Sequence, residues 1–210
     1  MLSEKNIIPF IDATCLSENS HDSDIEQLCE AAQSSLGEVA AVCIFPAYVK
    51  MAYALIKGSA VKIATVANFP HGNDEWALTK DTVNRALDDG ADELDIVLPY
   101  QDLIHNNIQF VCESLEFYRQ ITTGKTLKII IETGALKTEA LIKKASDLVI
   151  KAGAEFIKTS TGKNNLPGAN TAVTELILQQ ILTQQAKDKT GIKLSGGIRS
   201  IAQARELLET

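Results

Sequence analysis

Two lysines set in apolar surroundings pose the chemical question of this chain. In Phe156-Ile157-Lys158-Thr159-Ser160-Thr161-Gly162-Lys163 a lysine sits within a strand-like run that ends in a hydroxyl-and-glycine turn. About 35 residues on, Gly191-Ile192-Lys193-Leu194-Ser195-Gly196-Gly197 repeats the arrangement. A buried lysine is rare unless it is paired or functional. Two such lysines at the ends of neighbouring strands face each other, and desolvation plus a like charge lowers an amine pKa. A free amine attacks carbonyl carbon and forms a Schiff base. Lys158 is the expected nucleophile and Lys193 its activating neighbour. Taken alone, Lys158 also fits a structural lysine that snorkels to the strand end.

Other charged residues recur inside apolar runs. Asp95 lies in Leu94-Asp95-Ile96-Val97, Asp12 follows Phe10-Ile11, and Lys128 lies in Leu127-Lys128-Ile129-Ile130. Asp95 is expected to move protons, although a paired structural aspartate has the same signature. Asp12, Lys128 and Cys43 are further candidates for the mouth of the site, and Cys43 also fits a small core residue. Thr161, Gly162 and Lys163, with Gly196, Gly197 and Arg199, form glycine turns after late strands. Such turns bind phosphate through backbone amides, though ordinary helix caps look alike. Asn68-Phe69-Pro70-His71-Gly72-Asn73 reads as a loop-shaping element.

These residues need a scaffold that gathers strand ends. Strands are expected over Ile7–Thr14, Val39–Phe45, Val61–Asn68, Glu93–Leu98, Leu127–Glu132, Glu155–Ser160 and Gly191–Ser195. Amphipathic stretches lie between them. Thr138–Ala152 carries Leu141, Ala145, Leu148, Val149 and Ala152 at helical spacing. Glu75–Gly90, Val173–Leu182 and Ile201–Leu208 are similar. Strict alternation implies a parallel sheet covered by helices. A doubly wound sheet is one solution, but no G-x-G-x-x-G follows an early strand. A closed barrel gathers charged residues from many strands at one mouth. The expectation is an α/β chain, a (β/α)8 barrel lacking its eighth βα unit at the C-terminus, as one domain over residues 1–210.

Composition bounds the partners. The 210 residues carry a net charge of −7 and 45% hydrophobic content, with no basic stripe, so nucleic acid is not an expected partner. No apolar run reaches about 18 residues, and Met1-Leu2-Ser3-Glu4-Lys5 lacks the apolar core of a signal peptide, so membrane partners are not expected. Four cysteines without CxxC spacing suit reduced thiols and a cytoplasmic location. The three histidines form no HExxH-type pair, so neither a metal nor another cofactor is expected.

The sequence resembles the 2-deoxy-D-ribose-5-phosphate aldolase family nearly end to end. Ile11-Asp12, Ala64-Thr65-Val66, Asn68–Asn73, Asp92–Tyr100, Ile130–Gly134, Phe156–Lys163 and Lys193–Arg199 carry the resemblance. It implies a class I aldolase of deoxyribonucleotide and carbohydrate degradation. The reaction would be reversible, metal-free cleavage of deoxyribose 5-phosphate to acetaldehyde and glyceraldehyde 3-phosphate. By that resemblance Lys158 is the Schiff-base lysine, Lys193 the second lysine and Asp95 the acid/base residue, with a phosphosugar substrate.

The departure is at the C-terminus, where only seven βα units are readable. Two outcomes are expected of such a chain: a less stable barrel, or an open edge covered by another chain as in a homo-oligomer. Phosphate would then be held only by the turns at Gly162 and Gly196-Gly197. Alternative readings are an isomerase or transferase on a phosphosugar barrel without an imine, and a catalytically impaired barrel fragment.

Overall fold

Seven parallel strands form one sheet in chain order. They are β1 (Asp12–Cys15), β2 (Ala41–Ile44), β3 (Lys62–Ala67), β4 (Glu93–Val97), β5 (Thr126–Ile130), β6 (Phe156–Lys158) and β7 (Gly191–Lys193). The helices that follow them are α1 (Asp22–Ala32), α2 (Val49–Leu55), α3 (Trp76–Asp88), α4 (Ile108–Ile121), α5 (Glu139–Lys151), α6 (Thr171–Thr183) and α7 (Ile201–Leu208). This computed structural model describes residues 3–210. Met1 and Leu2, part of the stretch read above for a signal-peptide core, lie outside the described residues.

Most expected elements are present with trimmed ends. The largest shift is at the first strand, where Ile8–Phe10 forms a 3-10 turn and the ladder begins only at Asp12. Pro9 accounts for it, because proline fixes φ and has no N–H for a ladder. The last residues of the runs Glu155–Ser160 and Gly191–Ser195 also leave the strand conformation and become the turns of the site. Helix α5 starts as its sequence suggests, with Thr138 Oγ1 accepting from Leu141 N. Its buried face is Ile142, Ala145, Leu148 and Val149.

The sheet is curled. Four strand spacings separate β1 from β5, which in a flat sheet is about 19 Å. Yet Lys128 Nζ of β5 is 3.3 Å from Asp12 Oδ2 of β1. Lys193 Nζ of β7 likewise reaches Asp12 Oδ1 at 2.6 Å. Only a barrel-like wrap brings those side chains together. Among the described residues β1 and β7 share no ladder, so the wrap is spanned there by side chains.

Register decides what faces inward. Asp12 pairs with Ala41, Cys43 with Ala64, Val66 with Asp95, Asp95 with Lys128, and Lys158 with Lys193. With a side-chain period of two, these residues share the concave face. Ala41, Cys43, Ala64 and Val66 make a small apolar cluster there with Leu16. Their low volume leaves room opposite for long charged side chains. The alternate residues, such as Val42, Ile44, Ile63, Leu94, Ile96 and Ile129, pack outward in the larger core beneath the helices.

Candidate active site

Lys158, at the last position of β6, is 5% exposed, and Asp95, in β4, is fully buried. Their side chains meet, with Lys158 Nζ 2.5 Å from Asp95 Oδ2. Lys128 Nζ approaches the other carboxylate oxygen at 3.0 Å and also pairs with Glu93 at 2.5 Å. Asp12 bridges Lys128 and Lys193. Three ammonium groups and three carboxylates thus interlock inside the barrel. Buried charge is tolerated when it is paired in this way, and removing one member strands the others.

The electrostatics differ from the sequence expectation in one respect. Burial pushes the Lys158 ammonium toward neutrality, and Lys128 adds to that push. The Asp95 carboxylate outweighs both and holds the amine above its ordinary value. Lys193 is not the cation that acts on Lys158 in this arrangement; its charge is paired with Asp12, and Lys193 Nζ also donates to Phe10 O at 3.3 Å. Register still sets the two lysines side by side on adjacent strands. Burial pushes the Asp95 carboxyl up, but Lys128 and Lys158 bring it down to about 2. Lys128 is held well above the usual lysine value, since Asp95, Asp12 and Glu93 outweigh its burial.

Cys43 belongs to the same cluster. Its Sγ is 3.8 Å from Asp95 Oδ2 and 4.0 Å from Lys158 Nζ. Burial pushes the thiol up to about 11, so it is neutral near pH 7.

The two glycine turns adjoin each other above this cluster. Gly162, Gly196 and Gly197 have φ of 74°, 91° and 83°, the left-handed region that favours glycine. A Cβ on Gly162 would lie 3.8 Å from Gly196 Cα. Among the described residues, the amides of Gly162, Gly196, Gly197 and Ile198 donate no hydrogen bond to the protein. Lys163 Nζ lies 6.0 Å from the Phe45 ring centroid. Arg199 is exposed at the start of α7, where its amide donates to Gln203 Oε1.

The three hydroxyls after Lys158 do not act alike. Thr159 Oγ1 accepts from Ser195 N and donates to Ser195 O, which ties the β6 turn to the β7 turn. Thr161 Oγ1 donates to Glu132 Oε2 and accepts from Lys163 N. Among the described residues only Ser160 Oγ of the three has no hydrogen-bond partner.

A family model for DeoC/LacD family aldolases matches residues 6–210. The chain belongs to that family. It is an aldolase, a carbon–carbon lyase. Solved structures agree. A candidate deoxyribose-phosphate aldolase from Coccidioides immitis superposes with a TM-score of 0.92 at 32% identity, over 99% of this chain and 79% of its own. QR15, an aldolase, gives 0.87 at 33% identity, covering 97% and 87%. The tetrameric deoxyribose phosphate aldolase from Aeropyrum pernix gives 0.84 at 26% identity, covering 98% and 84%.

Two carboxylates of this aldolase escaped the sequence reading. In the sequence Glu93 only opens an expected strand, yet it is a partner of Lys128. Glu132 closes an apolar run and turns out 1% exposed at the mouth. Its one sequence signal is an acid directly after Ile129-Ile130-Ile131. Asn68 shapes its loop as expected. Its Nδ2 donates to Val97 O and Tyr118 Oη, and its Oδ1 accepts from Asp74 N. Among the described residues no helix is long and apolar enough to cross a membrane, and no group of three or more His, Cys, Asp or Glu is placed to hold a metal ion.

Proposed function

We propose that the chain cleaves 2-deoxy-D-ribose 5-phosphate reversibly to acetaldehyde and D-glyceraldehyde 3-phosphate through a Schiff base on Lys158. The observation that carries this reading is the buried Lys158–Asp95 pair at 2.5 Å, at the end of β6 and beneath two glycine turns. The deoxyribose-phosphate aldolases among its structural relatives support the choice of substrate.

The chemistry follows from the placement. Lys158 gives up its proton to solvent, and the free amine adds to the aldehyde carbon C1 of the open-chain sugar. A proton returned from solvent lets the carbinolamine lose water, which gives an iminium and leaves Asp95 as a carboxylate. The C3 hydroxyl then loses its proton to Asp95 through a water, the C2–C3 bond breaks, and its electron pair moves into the iminium. Glyceraldehyde 3-phosphate leaves, and an enamine remains on Lys158. Protonation at C2 and hydrolysis release acetaldehyde and restore the amine. Lys193 and Lys128 keep the cluster's charge in balance as the proton moves. The free amides at Gly162, Gly196 and Gly197, with Lys163 and Arg199, would hold the phosphate, as glycine turns at helix starts do.

Acetaldehyde and borohydride test this reading. Mass spectrometry is expected to find one added ethyl group, on Lys158. A label elsewhere, or none, refutes the assignment. An isomerase or transferase without an imine would take no label.

A further inference from the structure

Glu132 is a buried carboxylate that the proposed chemistry does not use. It follows β5 with φ of 50°, a conformation that non-glycine residues hold only when their surroundings enforce it. Among the described residues no cation pairs with it. Its Oε2 instead accepts three hydrogen bonds from one segment: from Thr161 Oγ1, from Thr161 N at 3.3 Å and from Asn164 Nδ2 at 3.2 Å.

That segment is strapped down at two further places. Gly134 lies against it so closely that a Cβ there would come 2.7 Å from Leu166 Cβ and 2.8 Å from Pro167 O. A Cβ on Gly168 would come 1.9 Å from Gly196 O. Residues 161–168 therefore run as a strap from the end of β5 to the turn after β7. Glu132 holds its root, and the Gly168–Gly196 contact fixes its far end. The free amides of Gly162 and Gly196 lie on the two turns that this strap joins.

We propose that Glu132 is a positioning residue that sets the spacing of the two glycine turns and so selects the phosphorylated sugar over the free one. The inference rests on the reading of those turns as the phosphate cradle. Glu132 acts through Thr161 and Asn164, and it leaves the lysine chemistry to Lys158 and Asp95.

The test compares wild type, E132A and E132Q on 2-deoxyribose 5-phosphate and on 2-deoxyribose, with inorganic phosphate as competitive inhibitor of the first reaction. In E132A, KM for the phosphorylated sugar and Ki for phosphate are both expected to rise about tenfold, the loss expected of a hydrogen bond to a charged acceptor. Cleavage of 2-deoxyribose, which needs no cradle, should keep kcat/KM within about twofold of wild type on the same grounds. E132Q keeps an oxygen acceptor and should recover most of the lost affinity. Equal losses on both sugars would reduce Glu132 to general support of the fold and overturn the proposal. Unchanged KM and Ki in E132A would overturn it while leaving the cradle standing. Wild type that ignores phosphate and treats both sugars alike would overturn the cradle itself, and the proposal with it.

Discussion

Lys193 Nζ lies 2.6 Å from Asp12 Oδ1, joining the two strands, β7 and β1, that share no ladder among the described residues. The same aspartate reaches Lys128 at 3.3 Å. One carboxylate thus ties the last strand, the fifth and the first, and it does so inside the site.

Asp12→Ala should therefore cost more than a surface ion pair. It leaves Lys193 without its carboxylate partner and takes one of three carboxylates from the buried Lys128, and breaking a buried pair costs roughly 3 kcal/mol or more. Urea denaturation measures the loss. A midpoint and slope equal to those of wild type would mean that the contact contributes nothing to closure of the wrap.

Lys193→Leu removes a cation from the strand beside Lys158. That charge is held by Asp12 and is not set against Lys158, so the acidic limb of the kcat/KM profile should keep its position. A limb that moves to higher pH would show that Lys193 does tune the Lys158 amine.

Asp95→Asn removes the carboxylate that holds the Lys158 ammonium above its ordinary value. Burial and Lys128 then dominate, so the amine becomes free at lower pH. Imine trapping should persist in this variant while turnover drops, because the later proton transfers lose their carrier. Wild-type turnover would make Asp95 structural.

The same residue predicts a pH dependence of stability. Its folded value of about 2 lies below the ordinary carboxylate value of 3.8, so the unfolded chain binds the proton more readily. The stabilisation is present above about pH 4 and is lost as pH falls toward 2. Stability measured across that window should fall less steeply in Asp95→Asn than in wild type. Parallel curves would refute the depressed value.

Gly168→Ala tests the strap from its far end. The added methyl collides with Gly196 O, a backbone atom that cannot swing aside, and overpacking of this kind costs about 1–3 kcal/mol. Affinity for the phosphorylated sugar should fall along with thermal stability. A variant with wild-type KM would show that the two turns tolerate being moved apart.

Much of this was legible in the sequence because it depends on local pattern. Alternating β and α periodicity fixed the order of seven strands and helices, since apolar spacing reflects which face of each element is buried. A lysine in an apolar run followed by a glycine turn marked Lys158 and Lys193, because few other settings tolerate such a residue. What the sequence could not supply was pairing across the barrel. Asp12 and Lys128 are separated by 116 positions, and their contact exists only because the sheet curls. Whether Lys158 faces a cation or an anion is likewise a matter of register and wrap, and the structure puts Asp95 there and turns Lys193 toward Asp12. Glu132 was hidden for the same reason: an acid at a strand end has no visible role until folding brings Thr161 and Asn164 to it. Electrostatic energy depends on distances of a few ångströms, and those distances are set only when the chain closes on itself.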